Sequence, residues 1–217
     1  MEQQHASRTG FGGILIELGL LILAALLFAL SFPSMVSGKG FFPLGFFAVF
    51  PVFIVIHRSG WVRVFIYGLF FGFASYALFN YWLLKFHPLA IFIVPIIYAL
   101  YFLILFPALK IADTLFPKYG YLLQAVIWVG YEYLKSKGFL GYTYGTLGYT
   151  QYPFLPLIRI SSIFGVWGVS FLVVYPSAFI GNALKNGVKG VASFVRQHRI
   201  GLFAYGGVFI LAVIFGI

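Results

Sequence analysis

This 217-residue chain has only four acidic residues, so few carboxylates are available for acid–base chemistry. Three of them, Glu17, Asp113 and Glu132, lie inside or beside strongly apolar runs. An ionisable group within a membrane span is costly and often marks a functional site. For Glu17 we expect a carboxylate that reaches the nearby membrane interface. For Asp113 we expect a local ion pair with Lys110, three residues earlier on a helix.

Glu132 has two interpretations that the sequence leaves open. It ends an apolar run, and Lys135 and Lys137 follow it closely. An interfacial ion pair with Lys135 would contribute little to stability. The other interpretation is a polar element at the mouth of a lipid-facing cavity. Asn80, inside another apolar run, needs a hydrogen-bond partner if it is buried, either on a neighbouring helix or on a substrate.

No residue pattern here is typical of a catalytic centre. The chain has no Cys, which excludes a thiol nucleophile and thiolate metal ligands. The four His residues are scattered, and no two of them have the i, i+4 spacing of a helical metal pair. A nucleophile elbow, a phosphate loop and a dinucleotide fingerprint are also missing. We therefore predict no catalytic residue, no metal site and no cofactor within this sequence.

The elements that must position these residues are membrane helices. Hydrophobic residues make up 62% of the chain and charged residues only 8%, against about 25% charged in an ordinary soluble domain. These values exclude a soluble globular protein and a disordered one. The net charge of +10 would suggest nucleic acid in a soluble protein. Here the basic residues lie mainly between apolar runs, as in membrane proteins, so we predict no nucleic-acid partner.

Apolar runs predict an all-α integral membrane protein, a bundle of about seven transmembrane helices in one polytopic domain over residues 1–217. The predicted spans are near 11–32, 41–56, 61–84, 88–109, 116–133, 160–184 and 200–217. The second run is short and contains two prolines, so we expect a kinked or partly inserted segment. Gly68 and Gly72 form a GxxxG pattern that allows close helix packing.

A loop rich in Gly, Tyr and Thr, residues 134–159, separates the fifth and sixth predicted spans. We expect it to be extracytoplasmic and to fold back towards the bundle, because it is aromatic rather than charged. Nine of the 14 Lys and Arg residues fall on the side of the N-terminus. This bias predicts a cytoplasmic N-terminus and an extracytoplasmic C-terminus. Any domain that followed Ile217 would then be extracytoplasmic.

One segment, residues 128–171, carries a more specific pattern. Trp128, Glu132 and Lys135 have the spacing W-x-x-x-E-x-x-[RK], and residues 147–151 then read LGYTQ before a helix that begins with Gly165 and Val166. This pattern resembles the membrane domain of the apolipoprotein N-acyltransferase family. In the loop, Thr143-Tyr144 stand where the family has Pro-Trp.

The resemblance implies a multi-pass protein of the bacterial cytoplasmic (inner) membrane. The family transfers an acyl chain from a phospholipid, through a thioester, to the N-terminal amine of a diacylglyceryl-cysteine lipoprotein. Its chemistry belongs to a nitrilase-like domain with a Glu, Lys and Cys triad. Because this chain has no Cys, we expect it to be the module that embeds the enzyme and admits its lipid substrate. A nitrilase-like catalytic domain or separate chain would be its partner, and whether this chain alone is an enzyme stays open.

Six residues are candidate contacts for a phospholipid or lipoprotein substrate: Asn80, Glu132, Lys137, Tyr144, Tyr149 and Gln151. Lysine can meet a phosphate as a point charge, and tyrosines favour headgroup level. Ordinary interfacial anchoring explains these residues about equally well. The alternative function is a non-enzymatic membrane scaffold, or a partner subunit that works with a separate catalytic chain. A small transporter has less support, because paired broken helices are not evident.

Overall fold

A computed structural model describes residues 10–138, 141–185 and 187–217, and every regular element within those ranges is helical. The α-helices are α1 (Phe11–Ser31), α2 (Phe50–Arg58), α3 (Trp61–Phe79), α4 (Ala90–Leu115), α5 (Gly120–Lys135), α6 (Leu155–Ile158), α7 (Ser161–Leu184), α8 (Val188–Gln197) and α9 (Arg199–Phe215). Three 3₁₀ turns occupy Phe42–Phe47, Tyr81–Lys85 and Leu147–Gln151. The predicted all-α class is confirmed. The polar head, residues 1–9, lies outside the described residues.

The number of membrane spans is lower than the sequence predicts. Among the described helices, α1, α3, α4 and α7 are long and apolar enough to cross a membrane. The pair α8 and α9, bent by 75°, makes a fifth if it counts as one span. The prediction of about seven is therefore corrected to about five. The difference comes from α2, with 9 residues, and α5, with 16 residues, which at about 1.5 Å per residue fall short of a core about 30 Å thick.

The predicted close packing at Gly68 and Gly72 is confirmed between α3 and α4. A Cβ atom on Gly68 would lie 2.6 Å from the backbone oxygen of Phe102, and one on Gly72 would lie 2.8 Å from the Cα atom of Ala99. Both distances are shorter than a van der Waals contact, so only glycine lets the two helices approach this closely. The pair of helices forms the broadest helix–helix contact in the described bundle.

Aromatic rings fill the centre of the bundle. Phe102 on α4 packs against Phe71 on α3 at 5.3 Å and against Tyr131 on α5 at 5.1 Å between ring centroids. Trp128 on α5 contacts Phe53 on α2 at 6.0 Å. Tilted and edge-to-face pairs of this kind add about 0.5–1.5 kcal/mol beyond the area that they bury. The result is a well-packed support beneath the loop that follows α5.

The Glu17 side chain is not exposed, as a carboxylate that reaches the interface would be, so that prediction is wrong. Its carboxylate is fully buried between α1 and α3, where it accepts hydrogen bonds from Arg63 and from the Tyr67 hydroxyl at 2.9 Å. A neighbouring helix supplied the partner that the sequence alone did not indicate. Glu17 therefore ties two spans together.

Asp113 also has a partner other than the expected one. Its carboxylate lies 3.0 Å from Nδ1 of His57 and 3.9 Å from Nζ of Lys185. Lys110 instead donates to the backbone oxygens of Ile56 and His57, at 2.9 and 3.3 Å. These contacts connect α4 to the end of α2 and to the end of α7. The local Lys110–Asp113 pair was predicted from spacing, and tertiary contacts replaced it.

Candidate functional site

A cavity of about 520 Å³ lies where α1 and α3 end and where the loop after α5 returns to the bundle. It is partly open to its surroundings, and its size falls within the 300–1,000 Å³ typical of ligand pockets. Its walls consist mostly of aromatic rings. The lining residues are Phe32, Pro33, Phe79, Tyr81, Trp82, Thr143, Tyr144, Gly145, Tyr149 and Tyr152. Such a surface suits a hydrocarbon chain whose polar end meets hydroxyl groups.

Two opposite walls form this pocket. The ends of α1 and α3 place Phe32 and Phe79 side by side, with ring centroids 4.6 Å apart. The segment 141–152, called the pocket loop below, supplies the opposite wall. Gly145 in this loop has a φ angle of 74°, a left-handed conformation that favours glycine. A Cβ atom there would also lie 2.9 Å from the Tyr76 hydroxyl, so glycine lets the loop reach the bundle.

Lys135 connects the pocket loop to the helix bundle. Its side chain is fully buried, and Nζ donates to the Tyr76 hydroxyl at 2.6 Å and to the backbone oxygen of Tyr144 at 2.8 Å. Nζ also lies 5.3 Å from the ring centroid of Tyr76. A buried ammonium group needs such partners because desolvation is expensive. Among the described ion pairs none joins Lys135 to Glu132, the pair that one interpretation of the sequence expected.

Glu132 fixes the next part of the loop. It is fully buried, and Oε1 accepts a hydrogen bond from the backbone N–H of Leu147 at 2.8 Å and from Nε1 of Trp128 at 3.2 Å. A buried carboxyl oxygen is costly unless it accepts hydrogen bonds of this kind. Glu132 therefore holds the start of the 3₁₀ turn Leu147–Gln151 and does not face the pocket.

The loop has further contacts with distant parts of the chain. Gln151 is fully buried and donates through Nε2 to the backbone oxygen of Phe42 at 2.9 Å. The N–H of Gly148 donates to Oγ of Ser170 on α7 at 2.9 Å. The pocket loop thus contacts the segment after α1, the end of α5 and the middle of α7. The expected folding of this segment towards the bundle is confirmed for residues 141–152, whereas Phe139 and Leu140 lie outside the described residues.

Tyr142 links the pocket wall to the bundle interior. Its hydroxyl donates to Oδ1 of Asn80 at 2.8 Å, and its ring lies 5.1 Å from that of Tyr144 and 4.9 Å from that of Tyr98. Burial, with smaller contributions from the neighbouring tyrosines, raises the pKa of Tyr142 well above its usual value. The phenol therefore stays neutral at physiological pH and keeps its proton for Asn80.

The structure separates the six candidate contact residues into three groups. Tyr144 and Tyr149 line the pocket and are 55% and 41% exposed. Asn80, Glu132 and Gln151 are buried behind the loop and hold it in place. Lys137 is exposed outside the pocket, with Nζ 4.8 Å from the ring centroid of Tyr133.

Several pocket residues escaped sequence reasoning, namely Phe32, Phe79, Tyr81, Trp82 and Tyr152. The sequence feature that could have indicated them is the run of aromatic residues around Asn80, at the end of an apolar segment. The W-x-x-x-E-x-x-[RK] spacing marked Lys135, but nothing in the sequence indicated its partner Tyr76, which lies 59 positions earlier. Within the described residues there is no group of three or more His, Asp or Glu side chains that could hold a metal ion.

Comparisons with known proteins identify relatives along most of the chain. The family profile "Apolipoprotein N-acyltransferase N-terminal domain" matches residues 24–179. Apolipoprotein N-acyltransferase 1 of Treponema denticola is 40% identical over 205 residues, which is 93% of this chain and 37% of that protein. Apolipoprotein N-acyltransferase 1 of Treponema pallidum is 41% identical over 158 residues, 73% of this chain and 29% of that protein.

A more distant relative gives the same correspondence. Apolipoprotein N-acyltransferase of Geobacter metallireducens is 31% identical over 183 residues, 76% of this chain and 33% of that protein. The chain thus spans about a third of the length of the curated relatives that it matches.

Proposed function

This chain belongs to the apolipoprotein N-acyltransferase family through its N-terminal domain, and from that premise we propose that its aromatic pocket admits an acyl chain of a phospholipid. The chain would be the membrane-embedding, lipid-admitting module of the acyltransferase. The observation that carries this proposal is the 520 Å³ pocket lined by rings at the ends of α1 and α3.

The two sides of the pocket suit the two parts of a lipid. Phe32, Phe79 and Trp82 offer apolar surface to a hydrocarbon chain. Tyr144 and Tyr149 on the loop carry hydroxyl groups, and tyrosine is enriched at the level of lipid headgroups. A wall that is already fixed by buried contacts loses little conformational entropy when a ligand binds. The contacts of Lys135, Glu132 and Gln151 therefore favour binding without touching the lipid.

The acyl transfer itself requires a group that this sequence does not contain. A thioester intermediate needs a thiolate, which attacks and leaves well, and the chain has no Cys. We propose that the thiol belongs to a nitrilase-like domain in the remainder of the protein or in a separate chain. The pocket would deliver the phospholipid to that domain on the extracytoplasmic side of the bacterial inner membrane, and a lipoprotein amine would receive the acyl group.

Photocrosslinking tests the pocket directly. The full chain is reconstituted in nanodiscs with phosphatidylethanolamine that carries a diazirine at the end of one acyl chain. We expect labelled peptides to concentrate at Tyr81–Trp82 and in residues 143–152. Trp82→Ala should lower this labelling several-fold, because the indole forms part of the apolar wall. The matched control is Phe203→Ala, since Phe203 is 76% exposed on α9 outside the pocket.

Two results would contradict the proposal. One is labelling spread evenly over all exposed apolar faces of the helices, with no excess at the pocket. The other is equal labelling of the pocket peptides in wild type and Trp82→Ala. Either result would favour the non-enzymatic scaffold, which needs a bundle but no lipid pocket.

A further inference from the structure

The helix α8 differs from the other helices in having one basic face and one apolar face. Lys189 and Arg196 lie seven residues apart, so they fall on the same side of the helix, about two turns from each other. Phe194 and Val195 lie on the opposite side and pack against the hydrophobic core. The axis of α8 is bent by 75° from that of α9, which continues the chain as an apolar helix. A basic amphipathic helix at such an angle is typical of one that lies in the membrane interface.

Contacts with the bundle hold α8 in place. The ring centroid of Phe194 lies 5.2 Å from that of Phe179 on α7 and 5.9 Å from that of Tyr121 on α5. It also lies 4.4 Å from the imidazole of His198, the residue between α8 and α9. Because the apolar face is fixed against the protein, the basic face has a defined position.

The positive charges around α8 have no carboxylate to neutralise them within the described residues. Four exposed cations lie on or beside the helix: Lys118, Lys189, Arg196 and Arg199. The three described acidic side chains are buried and engaged with other residues than these four, Glu17 with Arg63, Asp113 with His57 and Lys185, and Glu132 with Leu147. Exposed cations without acidic neighbours attract anions from the surroundings.

The surroundings of the basic face are apolar. Val188 at the start of α8 is 81% exposed, and Ile200 and Phe203 at the start of α9 are 80% and 76% exposed. A ligand that contacts both the exposed cations and the exposed apolar side chains must carry a negative charge next to a hydrocarbon group. Nucleic acid and soluble anions provide the charge but not the hydrocarbon.

We propose that α8, together with Lys118 and Arg199, forms a binding surface for anionic phospholipid headgroups. This surface and the acyl-chain pocket lie at opposite ends of α5, which has 16 residues and is about 24 Å long. The two lipid sites are therefore separated by the length of α5, and the anionic surface does not depend on the proposed pocket. It would hold the bundle at a fixed depth and rotation in the membrane.

Lipid selectivity in reconstituted membranes tests the proposal. The full chain is placed in phosphatidylcholine bilayers that contain trace spin-labelled phosphatidylglycerol or spin-labelled phosphatidylcholine. Electron spin resonance then gives the relative association constant of the two lipids with the protein. We expect wild type to prefer phosphatidylglycerol, and Lys189→Gln with Arg196→Gln to weaken that preference by about fivefold for each charge removed. High salt should weaken it as well.

Two control variants make the result specific. The exchange Lys189→Arg with Arg196→Lys keeps both charges and should keep the preference. Lys39→Gln with Lys85→Gln removes two exposed charges away from α8 and should leave the preference unchanged. The proposal is overturned if the α8 double variant retains the wild-type preference. It is also overturned if the Lys39 and Lys85 variant loses as much, because net charge alone would then explain the effect.

Discussion

A single buried ammonium group, that of Lys135, holds the wall of the pocket in position. It offers donors to the Tyr76 hydroxyl and to the backbone of Tyr144, and it is completely shielded from the surroundings. Removing it takes a hydrogen bond from the buried Tyr76 hydroxyl, and leaving a buried polar group without its partner costs about 1–3 kcal/mol. Part of this cost is offset because the ammonium no longer has to be desolvated.

Lys135→Met therefore should loosen the pocket loop without unfolding the bundle. We expect faster amide hydrogen exchange in residues 141–152 and little change in α3 and α4. Lys137→Met is the matched control, because Lys137 is exposed and two positions away. Equal exchange in the loops of wild type and Lys135→Met would show that Lys135 does not position the loop.

Individual polar contacts were the least predictable level of the structure. The sequence identified Glu17, Asp113 and Glu132 as the important carboxylates, but it gave a wrong partner for Asp113 and no partner for Glu17. Spacing reports neighbours on the same helix, whereas Arg63 and His57 come from other helices. A membrane interior has no water to satisfy such groups, so tertiary partners replace local ones.

At the scale of helices, the approach of α3 to α4 depends on the absence of a side chain at Gly68. A single methyl group there would lie 2.6 Å from the oxygen of Phe102, which is backbone and cannot rotate away. Gly68→Ala should therefore push the helices apart and lower the thermal unfolding temperature in detergent by several degrees. Overpacking of this kind typically costs about 1–3 kcal/mol.

Gly19→Ala is the matched control for the α3–α4 interface. Gly19 lies within α1, and a Cβ atom there would have no neighbour within 4 Å. Because alanine favours a helix over glycine, this change should leave the unfolding temperature unchanged or raise it slightly. If Gly68→Ala and Gly19→Ala unfold at the same temperature, close packing at Gly68 is not important.

Helices were more predictable than individual contacts, except for the short apolar helices. The long apolar runs correctly predicted the helices α1, α3, α4 and α7. A membrane span needs about 20 apolar residues, and a run of that length is uncommon outside membrane spans. Segments such as α2 and α5 are apolar but short, and composition does not say whether they cross the membrane. The loop at 141–152 was recognisable from its aromatic residues, yet its buried face depends on Glu132 and Ser170, which only the fold brings near.

On the scale of the whole molecule, the two ends of the bundle have different character. The pocket end is aromatic, and the α8 end is basic. From the positive-inside rule we propose that the basic end faces the cytoplasm. The proposed orientation then puts the pocket end outside.

Labelling of single introduced cysteines tests this orientation. The sequence of these 217 residues has no Cys, so within it Lys39→Cys and Lys189→Cys each create a unique site on an exposed residue. In intact spheroplasts, a membrane-impermeant maleimide should label Lys39→Cys and should label Lys189→Cys only after lysis. The reverse pattern would invert the topology and place the pocket at the cytoplasmic face.

The contacts of the pocket loop also set the order in which the protein can be assembled. The loop is fixed by Phe42 near the beginning of the chain, by Glu132 and Lys135 before it, and by Ser170 after it. During synthesis, α1 to α5 leave the ribosome well before Ser170 does. The contacts of the pocket loop are therefore incomplete until α7 has been inserted. In a nascent chain stalled before α7, we expect the loop to be accessible to protease.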